Sequence, residues 1–89
     1  MKKAIVTVIG NDKVGIIAGV SRTLADSGVN ILDISQTVLQ EYFTMVMLVD
    51  VDNALPFSEI KRNLAELGGE LGMSIRIQHE ELFNSMHKV

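Results

Sequence analysis

The sequence predicts an α+β fold: a split βαβ sandwich in which a four-stranded antiparallel sheet carries two helices on one face, with a short C-terminal helix after it. Three observations predict it. Apolar residues keep a period of two in some stretches and of 3.6 in others. Those stretches follow in the order strand, helix, strand, strand, helix, strand, which right-handed crossovers close most simply as such a sandwich. And 89 residues, 47% of them hydrophobic, suffice for one domain with a modest core but not for two. The domain is placed at residues 1–79 and a helical tail at 80–89.

Ala4 to Ile9 is an apolar run that reads as a buried strand. Ile16, Ile17, Val20 and Leu24 share one face of a helix expected from about Val14 to Ser27, with Gly28 just past its end, where positive φ is needed. From Ile31 to Leu39 the alternation is imperfect: Leu32, Ile34 and Val38 lie on one side, Asp33, Ser35 and Thr37 on the other, which suggests a strand partly covered on both faces. Gln40-Glu41-Tyr42 is the reversal into the next strand, without the Asn-Gly or Asp-Gly of a tight hairpin. There, Phe43, Met45, Met47, Val49 and Val51 form one face, while Val46 and Leu48 make the second face apolar.

Asp50 to Leu55 is polar enough for a loop, and Pro56 suits the first turn of a second helix. Phe57, Ile60, Leu64, Leu67 and Leu71 form its buried stripe, with Gly68 and Gly69 weakening the last turn. Met73, Ile75 and Ile77 alternate with Ser74, Arg76 and Gln78 as a half-buried strand, and Leu82, Phe83 and Met86 mark the short terminal helix. Since both helices lie on one face and Val46 and Leu48 point to the other, the bare face or the sheet edge is expected to be covered by a second copy.

The absence of cysteine excludes a disulfide framework, a thiolate metal site and a cysteine nucleophile. No apolar stretch approaches the roughly 20 residues of a membrane span, and the apolar run behind Met1-Lys2-Lys3 is too short for a signal peptide, so the expectation is a cytoplasmic protein without membrane contact. A net charge of −3 weighs against a nucleic-acid surface. Gly10 to Gly15 has the glycine spacing of a phosphate-binding loop, but Ile16-Ile17 stands where Lys-Ser or Lys-Thr would grip phosphate and magnesium. His79-Glu80-Glu81-Leu82-Phe83 lacks the second histidine of a zinc-protease helix. The reading is non-enzymatic, with no cofactor and no metal.

The chemistry concentrates in Gly10-Asn11-Asp12-Lys13-Val14-Gly15-Ile16, a strand-to-helix loop where the first helical turn leaves N–H donors without intrahelical partners. A carboxylate or phosphate suits that position. Gly15 is small either to let such a group approach or to let the helix pack on the sheet. Asp12 fits a helix cap as well as a grip on a ligand ammonium. Asn30 offers donor and acceptor to an amino acid's two charged ends, yet asparagine after a helix-ending glycine is also ordinary turn chemistry. Met45 and Met47 read as core.

Gly10-x-Asp12-x-x-Gly15-Ile16, Gly28-Val29-Asn30-Ile31, Asp33-Ile34-Ser35-Gln36 and Phe43-x-Met45-x-Met47, in that order over residues 3–79, resemble an ACT domain of the stand-alone or paired type. The resemblance implies a ferredoxin-like βαββαβ sandwich and a regulatory module that binds an amino acid or related metabolite between two protomers. Carried over by position, it implies ligand contacts at Gly10, Asn11, Asp12, Gly15, Ile16 and Asn30. Gly10, Asp12 and Val14 stand where some serine-binding members have histidine, asparagine and proline, so the ligand's identity does not carry over. The expected mechanism sets the ligand's carboxylate on the N–H groups of Gly15 and Ile16 and its ammonium on Asp12, at or near the interface of a homodimer or higher oligomer. The alternative is an interaction module without a small-molecule ligand, docking an effector such as an enzyme or transcription factor.

Overall fold

The computed structural model describes residues 2–11 and 15–86. Its elements are β1 (Lys3–Gly10), α1 (Ile16–Asp26), β2 (Asn30–Leu39), β3 (Tyr42–Asp50), α2 (Phe57–Leu71), β4 (Ser74–His79) and α3 (Glu80–Met86). They form one four-stranded antiparallel sheet in the order β2-β3-β1-β4, the topology that the alternating periods predict. No helix among the described residues is long and apolar enough to cross a membrane.

The core lies between the sheet and the two long helices. Ala4, Val6 and Val8 of β1, Phe43, Met45, Met47 and Val49 of β3, and Ile75 and Ile77 of β4 meet Ile16, Val20 and Leu24 of α1 and Ile60 and Leu64 of α2. β1, β3 and β4 contribute every second residue, and α1 and α2 contribute positions three or four apart. The alternate residues Ile5, Thr7, Ile9, Thr44, Val46, Leu48, Ser74 and Arg76 look away from both helices, onto an open face.

Local signals set most element ends. Gly28, at φ 76, follows α1, and the N–H of Val29 returns to the carbonyl of Leu24 at 2.9 Å. Pro56 sits just before α2, its carbonyl accepting the N–H groups of Glu59 and Ile60. The second helix is not interrupted at its paired glycines; it runs to Leu71 and stops at Gly72, at φ 67, with the N–H of Met73 donating to the carbonyl of Gly68 at 2.8 Å. The hairpin between β2 and β3 is tighter than the sequence suggests: Leu39 already pairs with Tyr42, leaving a two-residue turn with Gln40 at φ 55.

β2 departs from the expectation of partial cover on both faces, for every residue from Leu32 to Gln40 is exposed. The physical reason is its place in the sheet. It is an edge strand with β3 as its one neighbour in the sheet, so no strand covers its outer side. A bulge between Ile31 and Asp33 lets Leu32 drop out of the pairing and accounts for the broken alternation. The expected helix start at Val14 lies outside the described residues, and α1 is described from Ile16.

Candidate functional site

Gly10 is the last residue of β1, opposite Phe43 at the start of β3. Its lack of a side chain has a visible cause: a Cβ there would stand 2.6 Å from the side chain of Met73. Asn11 and Gly15 are exposed. Gly15 takes φ 77, the left-handed region that other residues enter at a cost, while a Cβ on it would meet nothing within 4 Å. The glycine therefore answers a backbone requirement and not close packing of the helix on the sheet. The carbonyl of Gly15 accepts the N–H of Gly19 at 2.9 Å, which opens the helix, and among the described residues no side chain caps that end. The Ile16 side chain is buried in the core, so this residue can serve a ligand only through its amide. Asp12 lies outside the described residues.

Asn30 lies at the other end of the sheet. It begins β2 opposite Asp50, which also pairs with Lys3 at the start of β1. From there to Gly10 the strand advances seven residues, or about 23 Å at the usual rise. Within one protomer the structure thus brings Gly10, Asn11, Gly15 and Ile16 together and keeps Asn30 apart. Asn30 itself is exposed.

Two features were not legible in the sequence. At the Asn30 end a hollow of about 260 Å³ is lined by Lys2, Asp52, Leu55, Phe57 and His79 among others, and the rings of Phe57 and His79 stack with centroids 4.0 Å apart and planes 19° from parallel. These two residues lie 22 positions apart in the chain, and no local pattern joins them. The sheet face opposite α1 and α2 carries a larger hollow of about 600 Å³, lined by Thr7, Ile9, Val46 and Arg76 and by Phe83 of α3 among others. Among the described residues no group of three or more potential metal ligands converges.

Comparison with known proteins agrees with this architecture. The sequence profile of the ACT domain matches residues 2–78. A UPF0237 protein of Clostridium acetobutylicum is 60% identical over 88 residues, which cover 98% of this chain and 99% of that protein. Among solved structures, an ACT domain protein from Streptococcus pneumoniae superposes with a TM-score of 0.82 at 48% identity, covering 92% of this chain and 93% of that one. The regulatory subunit of aspartate kinase from Thermus thermophilus superposes with a TM-score of 0.67 at 26% identity, covering 86% of this chain and 50% of that one. With its four-stranded sheet in the order β2-β3-β1-β4 and its two long helices packed on one face, this chain belongs to the ACT domain family.

Proposed function

We propose that the protein is a non-enzymatic regulatory module that binds an amino acid or a related small metabolite across the junction of two copies. The observation that supports this reading is the separation of its parts: the left-handed Gly15 at the head of α1 at one end of the sheet, Asn30 at the other, and between them an exposed edge strand. β2 runs from the Asn30 end toward the loop end. If two β2 edges pair antiparallel about a two-fold axis, each chain's Asn30 moves to the loop end of its partner. Two half-sites then become two whole ones.

In such a site the amides of Gly15 and Ile16 receive the ligand's carboxylate, aided by the positive end of the α1 dipole. Asp12 takes the ammonium, and Asn30 of the other copy closes the site with one donor and one acceptor. Ligand binding then favours the paired state, by no more than the ligand's difference in affinity between paired and unpaired chains.

Calorimetry and thermal shift against the twenty amino acids test this. The expected outcome is one ligand bound per chain with affinity in the micromolar to millimolar range, lost in both Gly15→Ala and Asn30→Ala although each variant stays folded. Absence of binding by every amino acid at millimolar concentration would refute the proposal.

A further inference from the structure

The sheet face opposite the two long helices is not a bare plane. α3 lies against it, in contact with β1 and β4, and Ile5, which points to this side, is left only 9% exposed. Beside α3 remains the hollow of about 600 Å³, to which Phe83 contributes a half-buried ring. Most of its lining is apolar: Val46 is half-buried and Ile9 is 49% exposed. One side is charged. Arg76 on β4 stands in the same row as Thr7 and Val46, is exposed, and pairs with no carboxylate among the described residues. Ser74, two residues before it and therefore on the same face, lines the hollow with it. The far border of the face, on β2, carries Asp33 in the row of Leu48 and Ile5, three strand spacings or about 14 Å from the line of β4. Lys3, on the same face at the Asn30 end, stands opposite Asp50.

We propose that this hollow binds a small carboxylic acid with an apolar body, an acyl or aryl chain of medium length, through residues that the amino-acid site does not use. The Arg76 guanidinium receives the carboxylate through two parallel N–H···O bonds, with the hydroxyls of Thr7 and Ser74 as neighbouring donors. The apolar body lies over Ile9 and Val46, beside Phe83. From β4 to β3 is two strand spacings, about 10 Å, which suits a chain of medium length. Asp33 sets the direction, since a reversed ligand would bring its carboxylate toward a like charge. Size and lining are those of a small-molecule site, which typically takes about 300–1,000 Å³, mostly apolar, with a few polar groups that fix orientation. α3 stands in the way of a flat partner sheet.

Octanoate is the probe, with octanol and octylamine as matched controls, titrated into the full chain and followed by calorimetry and by amide NMR shifts. The expected outcome is one octanoate per chain, with a dissociation constant in the micromolar to millimolar range and shifts centred on Thr7, Ile9, Val46 and Arg76. Hexanoate, two methylenes shorter, should bind about tenfold more weakly, and octylamine should not bind. Arg76→Gln should weaken octanoate about tenfold or more and erase its advantage over octanol, whereas Ile9→Asn should weaken octanoate and octanol alike. Circular dichroism checks that each variant is folded, as expected for exposed substitutions. Octanoate that fails to bind at millimolar concentration, binds without saturation, or binds Arg76→Gln equally well overturns the proposal. Shifts that vanish as the chain concentration rises overturn it too, because a second copy then occupies the face. Amino-acid binding is read with other ligands and other variants, so either proposal can fail without the other.

Discussion

Gly68 and Gly69 are adjacent in the sequence and opposite in what they do. A Cβ on Gly68 would stand 2.7 Å from the carbonyl oxygen of Met73, because the chain leaving α2 folds back over that residue on its way into β4. A Cβ on Gly69 would meet nothing within 4 Å. Gly68→Ala should therefore destabilise the protein by about 1–3 kcal/mol, the usual cost of forcing atoms into a packed site. Gly69→Ala should stabilise it by about 0.5–1 kcal/mol, since alanine loses less backbone entropy in a helix. Thermal unfolding checks both, at about 4–8 °C per kcal/mol for a domain of this size. In the sequence the pair reads only as a weak last turn; the return path of β4 separates the two.

The strands and helices carry most of what was legible. Met45 and Met47 read as core from the alternation of β3, and both are fully buried between sheet and helices. Met47→Ala should cost about 2–5 kcal/mol, as truncations of buried methionine do, while Val46→Ala, on the half-buried open face of the same strand, should cost well under half as much. Chemical denaturation with unchanged slope and shifted midpoint is the measurement. Gly28 and Pro56 gave the end of one helix and the start of the other because both act through φ of a single residue. β2 was the element least well read. Its cover depends on how far the helices reach across the sheet, and its bulge at Leu32 depends on pairing with β3.

At the scale of the whole molecule the exposed edge is the main liability and the main clue. Val38 is 54% exposed and Leu39 70%, and Leu32 and Ile34 are exposed with them on the edge strand. Lysine is a common guard of such edges. Val38→Lys should leave unfolding within about 0.5 kcal/mol of the parent chain, as surface substitutions do, and should halve the mass of the assembly in sedimentation velocity. An unchanged mass would show that β2 is not a contact. The same substitution should abolish amino-acid binding if the two half-sites meet through this edge.

From the sequence alone came the order of elements, the residues of the core and the glycine-bounded loop at the head of α1, because each is written in local periodicity or in the φ of one residue. The tertiary structure decided that Asn30 stands at the far end of the sheet from that loop, that Phe57 stacks on His79, and that Asp33 and Arg76 border one open face. Those relations depend on strand order and register, which arise from contacts between residues far apart in the chain.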